Sequence, residues 1–223
     1  MTPSTLAQLE ARLAARLVDA ANLVWSTATL DEALRSALAE YSAAVPLTAE
    51  TVITLPGAGR EIALSGLADL LSVSEVWWPF ATTGAEVWPP NQVAGFRVYW
   101  DDAQPVLFLS SKSGSQPQLG DGLRLWYTKP HTIQNLDSAA ITTVFASHES
   151  GLVGGAAGYA AGSETLNQVG TVRLDPSEVP ELRTWAAERL REFRAWLASI
   201  KAGAPTHGEP YGPGWGLDKW DKQ

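Results

Sequence analysis

The sequence predicts an α+β fold: a helical bundle that carries a large antiparallel β insertion and ends in an extended C-terminal tail. Apolar residues recur at helical spacing before residue 51 and after residue 131, whereas the period between them is close to two. The last twenty-one residues are rich in glycine and proline. We therefore expect a helical domain of residues 1–50 and 132–202, a β-rich insertion of residues 51–131, and a docking tail of residues 203–223.

Length and composition restrict the class of protein. The 223 residues, 45% of them hydrophobic, suffice for one domain or two closely joined ones. The net charge of −8 argues against a surface that binds nucleic-acid phosphates. The absence of cysteine excludes disulfides and thiolate metal sites. The N-terminus lacks an uninterrupted apolar stretch and a cleavage site, so we expect synthesis in the cytoplasm without a secretory signal.

Two amphipathic helices are predicted before the insertion. The first starts after Thr2 or Ser4, and its apolar face comprises Leu6, Leu9, Leu13, Leu17 and a position near Leu23. The second begins at a capping box of Thr29 and Glu32 and stops before Pro46. Its apolar face comprises Leu30, Leu34, Leu38 and Tyr41.

Short β-rich runs separated by glycine, proline and aspartate predict an antiparallel sheet in the insertion. Its clearest hairpin joins 95–100 to 106–109 through a turn at 101–104, and 120–122 makes a turn into the last strand. The loop 79–91 carries Trp88, which either contacts a partner or closes off the sheet. The runs are 52–55, 61–64, 73–77, 95–100, 106–109 and 123–127.

The stretch TTVFASHESGLVGGAAGYAAGSETL, residues 142–166, has helical spacing but unusually small side chains. Ser147 is its predicted N-cap, and Glu149 lies in the first turn. Gly154, Gly158 and Gly162 form a row of four-residue spacing, and Gly151 with Gly155 forms a second line. Each glycine costs about 0.8–1 kcal/mol relative to alanine, so tertiary or subunit packing must stabilise this helix.

We expect close packing at these five glycines, either in the core of one subunit, which is favoured, or between protomers of an oligomer. A membrane span is not expected, because the apolar run from Gly151 to Gly162 is only twelve residues and Glu149 and Glu164 flank it.

A long helix is predicted to follow. Asp175 is its candidate N-cap, Pro176 its first position and Glu178 the third residue after the cap, although Pro180 can delay the start by a turn. Gly203 ends it. The apolar face comprises Leu182, Trp185, Leu190, Phe193, Leu197 and Ile200.

The tail cannot form a core of its own, yet it carries Tyr211, Trp215 and Trp220. Tyrosine and tryptophan are common anchors of interfaces, so we expect the tail to dock on a partner. The alternative is that it folds back over its own subunit.

Motifs for catalysis are missing. His131, His148 and His207 do not have the spacing of a helical zinc site, and His148-Glu149 is interpreted as a surface or capping pair. The GxG of 55–60 is interpreted as a turn. We therefore expect no enzyme, no cofactor and no metal.

Aromatic residues in the insertion leave open, as an alternative, a protein that binds carbohydrate. A glycosidase or a noncatalytic glycan-binding sheet would need aromatic faces on which sugars stack. The candidate tryptophans are Trp77, Trp78, Trp88, Trp100 and Trp126.

The order of elements resembles the head–tail connector (adaptor, or neck) proteins of tailed bacteriophages. The matching residues are LDEAL and LAEYS of 30–42, Tyr127, His131, the pair 142–143, LVGGAAGYA of 152–160, and the long C-terminal helix. Departures from the family are the additional first helix and the large insertion of about eighty residues. The family's fold is a small bundle in which the two matched helices pack with the long one.

The resemblance implies a structural virion protein in the neck, at the head–tail junction. It would form a homo-oligomeric ring of about twelve copies under the portal protein and bind a downstream neck or tail protein. Double-stranded DNA would pass through the ring without specific binding, and Tyr211, Trp215 and Trp220 would dock on the portal. The alternative is a β-sheet glycan-binding or receptor-binding virion component.

Overall fold

The computed structural model describes residues 3–19, 21–67, 69–81, 91–110, 116–168 and 178–203. It confirms the α+β class. The elements in chain order are α1 (Leu6–Arg16), α2 (Thr27–Ala44), β1 (Leu47–Thr54), β2 (Glu61–Ala63), β3 (Ser72–Trp77), β4 (Phe96–Asp101), β5 (Gln104–Leu109), β6 (Gly122–Lys129), α3 (Glu149–Gln168) and α4 (Glu178–Gly203), with a 3-10 turn at Leu136–Ser138 before α3.

Helix α1 is shorter than the sequence predicts. Thr5 and Gln8 form a capping box at its start, and Leu9 and Leu13 are fully buried. The helix ends at Arg16, so the prediction that its apolar face continues to Leu23 is wrong. The chain leaves the helical conformation because Val18 takes a positive φ of 57°.

Helix α2 has the predicted face but a different cap. Ser26, not Thr29, is the N-cap, and its hydroxyl accepts the backbone N–H of Thr29. The predicted capping box is therefore wrong, and the helix begins at Thr27. Leu30, Leu34 and Tyr41 are fully buried as expected. The helix ends at Ala44, before Pro46, as predicted.

The six strands form two three-stranded antiparallel sheets, in the orders β1-β6-β3 and β2-β5-β4. The predicted hairpin is confirmed as β4-β5, with Phe96 opposite Leu109 and Asp101 opposite Gln104. Strand β1 begins at Leu47, four residues before the expected start of the insertion.

Helix α3 begins at Glu149, so His148 rather than the predicted Ser147 flanks its first residue. Helix α4 begins at Glu178 without a delay at Pro180, and its last residue is Gly203. Phe193 and Leu197 on its apolar face are buried as predicted. The candidate cap Asp175 lies outside the described residues.

Two hydrophobic clusters organise these elements. Residues of all four helices and of the segment 133–144 form the first cluster, in which Leu30, Tyr41 and Leu152 are fully buried. Residues of the strands and their loops form the second, around Leu107, Leu123 and Leu125. The segment from 131 to 148 therefore returns the chain from the sheets to the helices.

Candidate functional site

The predicted docking tail lies outside the described residues, because the described chain ends at Gly203. Tyr211, Trp215 and Trp220 thus keep the status of predictions. The same holds for Trp88, because residues 82–90 lie outside the described residues.

The contact between α3 and α4 uses three of the five glycines. A Cβ atom at Gly155 would lie 2.5 Å from the Phe193 ring, and one at Gly151 would lie 2.6 Å from the Trp196 ring. At Gly158 it would lie 2.9 Å from Cγ of Leu190 and 3.1 Å from its backbone nitrogen. Large side chains of α4 therefore occupy the space that side chains on this face of α3 would need.

The remaining two glycines face elsewhere. A Cβ atom at Gly154 would lie 2.7 Å from Nη1 of Arg16, at the end of a flexible side chain. Among the described residues, no atom lies within 4 Å of a Cβ placed at Gly162. The row that α4 contacts is thus 151–155–158, which combines members of both predicted lines, and Gly162 does not belong to it.

Glu149 binds the N-terminal segment. Its Oε1 accepts the backbone N–H of Ser4 at 2.6 Å, and its Oε2 accepts the Ser4 hydroxyl and Nη1 of Arg12, each at 2.7 Å. Burial alone would raise the pKa of Glu149, but these donors together hold it below its ordinary value. Glu149 is only 3% exposed, so of the two interpretations of the pair, surface or capping, the surface one is wrong for Glu149, which lies in the first turn of α3 as predicted.

A second carboxylate connects three helices. The Glu40 carboxylate of α2 accepts a hydrogen bond from Nη2 of Arg194 in α4 at 2.7 Å. It accepts a second one from the hydroxyl of Tyr159 in α3. The bonds from Arg194, followed by that from Tyr159, lower the pKa of Glu40 against the effect of burial. Nothing in the local sequence pattern predicts this group, because its members are far apart in the chain.

An aromatic cluster surrounds the start of α3. The Tyr41 hydroxyl lies 2.8 Å from Nδ1 of His148, and Nδ1 of buried His131 donates to the Thr143 carbonyl at 3.0 Å. Burial lowers the pKa of His131 and raises the pKa of Tyr41 to about 12. The Trp196 ring stacks on Tyr41, with 6.2 Å between centroids. The two histidines therefore contribute to packing between the helices and the connecting segment.

The α1–α2 loop, which we define as the described residues 17–19 and 21–26, exposes aliphatic side chains. Val18 is 92% exposed and Leu23 is 86% exposed, while Val24 is half-exposed. Asp19 is buried beneath them, and its carboxylate accepts the backbone N–H groups of Leu23, Val24 and Trp25 at 2.8–2.9 Å. The hydrogen bond from Trp25 is the main cause of the lowered pKa of Asp19. We call Val18, Leu23 and Val24 the loop tip.

A groove of about 540 Å³ lies where α2, α3 and α4 meet, and we call it the α2–α4 groove. Its walls are mostly small or apolar, with more apolar than polar surface. The lining residues include Ala28, Ala33, Gly158, Tyr159, Gly162 and Leu190.

Two partly buried tryptophans of the first sheet contact the guanidinium of Arg124. The rings of Trp77 and Trp126 are tilted by 55°, and the Arg124 guanidinium lies 5.2 Å and 4.6 Å from their centroids. Trp78 is buried and donates to Asp121, whereas Trp100 is 60% exposed. Trp77 and Trp126 therefore pack around Arg124 with their rings tilted rather than coplanar, which differs from a flat platform for sugars.

Within the described ranges, no group of three or more histidine, cysteine, aspartate or glutamate side chains is arranged to hold a metal ion. None of the helices described here is both long and apolar enough to cross a membrane.

Comparison with known proteins shows a likeness to a solved structure. No family model matches this sequence, and no curated protein matches it. The chain is similar, with 17% identity and a TM-score of 0.32, to a chain in a structure described as the neck of an empty GTA particle computed with C6 symmetry. The match covers 71% of this chain and 80% of that chain.

Proposed function

We propose that this chain is a noncatalytic structural protein of a virion neck, a head–tail connector that forms a ring under the portal and extends the DNA channel toward the tail. The observation that carries the proposal is the packing of the two helices whose residues resemble the connector family. Residues 30–42 lie in α2 and residues 152–160 lie in α3. Both helices share one core with the long helix α4.

The glycine row supports this arrangement physically. Gly151, Gly155 and Gly158 admit Trp196, Phe193 and Leu190 of α4, so the bundle can bury large aromatic side chains against a helix of small ones. Glu40 ties the same three helices together through Tyr159 and Arg194. A rigid bundle of this kind suits a protein that must keep its shape within a ring.

The charge supports a channel role. Each copy carries a net charge of −8, so a ring would present DNA with a strongly negative body that does not retain phosphates. Double-stranded DNA would pass without specific binding. The partners would be the portal protein on one side and a downstream neck or tail protein on the other.

The proposal can be tested by measuring whether the protein binds the portal and whether the docking tail is needed for that binding. We predict that the purified protein co-sediments with the portal ring encoded alongside it, at about one copy per portal subunit. Changing Trp215 and Trp220 together to alanine should weaken this binding at least tenfold, because tryptophan anchors carry much of the energy of an interface. Analytical ultracentrifugation of the mixture measures both quantities.

Trp100→Ala is the matched control, since it removes an exposed tryptophan from the β insertion. It should leave portal binding unchanged. Equal binding by the double variant and the native protein would remove the tail from the docking surface, and a native protein that never binds the portal would contradict the connector function itself.

A further inference from the structure

We propose that the open edge of β1 binds an extended segment of a partner protein, which adds a fourth strand to the sheet β1-β6-β3. The segment is amphipathic: apolar and polar residues alternate along it, with a lysine or arginine where it passes Glu50. The inference rests on the proposed function for the source of the segment, the downstream neck or tail protein. It deepens that function by naming the surface and the chemistry of the contact.

Strand β1 is paired on one side. It pairs with β6 over its whole length, from Leu47 opposite Lys129 to Thr54 opposite Gly122, without a shift of register. None of its eight residues is buried, whereas half of the residues of the central strand β6 are. Among the described residues, no second strand pairs with β1. Its other side is therefore an open edge of the sheet.

The backbone groups on this edge can be assigned from the hydrogen bonds at the end of the strand. The Leu55 N–H donates to the carbonyl of Asp121 at 2.9 Å, so Leu55 continues the set of residues whose backbone groups point toward β6. In an antiparallel pair these positions alternate with positions whose N–H and C=O groups point away. The outward positions are Thr48, Glu50, Val52 and Thr54.

This row of outward groups selects the kind of partner. Four N–H donors and four C=O acceptors alternate along about 20 Å of strand. A helix uses its own backbone groups internally, and a nucleic-acid backbone offers phosphate acceptors without matching donors. Only another extended polypeptide presents complementary donors and acceptors at the same spacing.

The β1 edge also lacks the features that protect sheet edges from pairing. Proteins usually keep edge strands short, bulged or covered, or place lysine or proline on them. The strand β2 has only three residues, and β3 is bulged between Val73 and Glu75. The Val93 N–H covers the edge of β3 by donating to the Val76 carbonyl at 2.8 Å. By contrast, β1 has eight residues, LTAETVIT, with no bulge, lysine or proline.

The side chains of β1 define what the added strand must carry. On the inner face, Ala49 and Ile53 pack against the hydrophobic cluster of the strands but remain only partly buried, so apolar neighbours would complete their burial. On the outer face, Glu50 is 43% exposed and uses Oε1 to accept Nε of Arg124 at 2.8 Å. A cation of the added strand beside Glu50 would match its charge and the net charge of −8.

Hydrogen exchange of the native protein tests the edge directly. The probe is a synthetic peptide, Thr-Val-Lys-Val-Thr-Val-Lys-Val. Without it, the amides of Ala49, Thr51 and Ile53 should exchange slowly because they donate to β6, and those of Glu50 and Val52 should exchange rapidly. Saturating peptide should slow exchange at Glu50 and Val52 at least tenfold and leave the other three unchanged. Nuclear magnetic resonance measures each amide separately.

A proline at position 52 removes one outward N–H, because proline is tolerated on an edge strand at a position whose N–H faces solvent. Val52→Pro should weaken peptide binding at least tenfold in a fluorescence-anisotropy titration. Val52→Ala, which loses the side chain but keeps the N–H, should bind nearly as well as the native protein. Thermal unfolding checks that each variant folds.

Val98→Pro is the matched control in β4, an edge strand of the other sheet. Its N–H also points outward, since the Gly95 carbonyl accepts the N–H of Ser110 and Val98 belongs to the alternate set. This variant should leave peptide binding unchanged.

A charge exchange tests the role of Glu50. Glu50→Lys should weaken binding of the lysine peptide at least threefold and strengthen binding of the same peptide with glutamate in place of lysine. Equal effects on both peptides would overturn the predicted cation of the partner strand.

The outcomes separate this inference from the connector function. If the native protein binds the portal but millimolar peptide slows exchange at neither Glu50 nor Val52, the β1 edge is overturned as a docking site and the connector function stands. If the peptide gives the alternating protection but the portal is never bound, the docking edge stands and the connector function is overturned. Slow exchange at Glu50 and Val52 without peptide would show that the edge is already covered, by the chain itself or by a second copy, and would overturn the inference.

Discussion

At the scale of single residues, the buried carboxylates decide which distant segments of the chain are joined. Glu149 receives three hydrogen bonds from Ser4 and Arg12, and the Ser4 carbonyl in turn accepts the hydroxyl of Thr142 at 2.7 Å. One side chain thereby fixes the N-terminal segment against the start of α3. Its removal would leave the buried N–H group of Ser4 without an acceptor.

We predict that Glu149→Ala lowers the free energy of unfolding by about 2–3 kcal/mol at pH 7, because the Ser4 donors lose their partner inside the protein. Urea unfolding monitored by tryptophan fluorescence measures the loss. Glu181→Ala, which removes an exposed carboxylate of α4, should change the free energy by less than about 0.5 kcal/mol. Equal midpoints for the two variants would show that Glu149 contributes nothing to stability.

A pair of carboxyl groups between α1 and α2 should make stability depend on pH. Burial, followed by the hydrogen bond and repulsion from Asp31, raises the pKa of Glu10 to about 7. Because the pKa of the folded state lies above the ordinary value of 4.5, this group's contribution is fully present below pH 4.5 and is lost as pH rises through about 7.

We predict that the native protein loses stability between pH 5 and pH 8 relative to Glu10→Gln, which keeps a hydrogen-bond donor toward Asp31 without a charge. The lowered pKa of His131 acts in the opposite sense, since its contribution is lost as pH falls below 6.5, so the comparison must use the difference between the two proteins. Thermal unfolding at several pH values measures it. A difference that does not vary with pH would contradict the raised pKa.

At the scale of elements, the glycines of α3 have different roles at different positions along the helix. Glycine is required only where α4 approaches, and elsewhere in α3 it carries the usual cost of backbone freedom. Gly155 and Gly162 therefore form a natural pair for comparison. The first faces the Phe193 ring, while a Cβ at the second would lie more than 4 Å from every atom of the described part of the chain.

We predict opposite effects for alanine at these two glycines. Gly155→Ala should destabilise the protein by about 1–3 kcal/mol, because the new methyl group overlaps the Phe193 ring and the core must shift. Gly162→Ala should stabilise it by up to about 1 kcal/mol, since it only reduces the freedom of the unfolded chain. Denaturant unfolding of both variants measures the two effects, and changes of the same sign would refute the assignment of the contact row.

At the scale of the whole molecule, the buried hydrophobic residues form two clusters, one among the helices and one among the strands. The helical cluster combines α2, α3 and α4 with the first helix and with the segment around Ile133 and Val144. The strand cluster holds the two small sheets. The groove and the loop tip both belong to the helical part of the chain.

Local pattern alone was enough to predict much of this architecture. The alternation of Phe96, Val98 and Trp100 predicted β4, and the three-and-four spacing of Leu30, Leu34 and Tyr41 predicted the buried face of α2. These features follow from the fixed periods of strands and helices, which relate neighbours in sequence to one face of an element. The expected antiparallel pairing was confirmed for the β4–β5 hairpin, because a short turn joins its two strands.

Only the tertiary structure decided which groups meet across the chain. Ser4 binds Glu149 across 145 residues, and Glu40 binds Arg194 across 154, and no local period carries that information. The same limit explains the glycines: spacing predicted two lines on α3, but the direction from which α4 approaches selected 151, 155 and 158. It also explains Leu23, whose spacing fitted α1 although Val18 and Asp19 turn the chain away and leave it exposed.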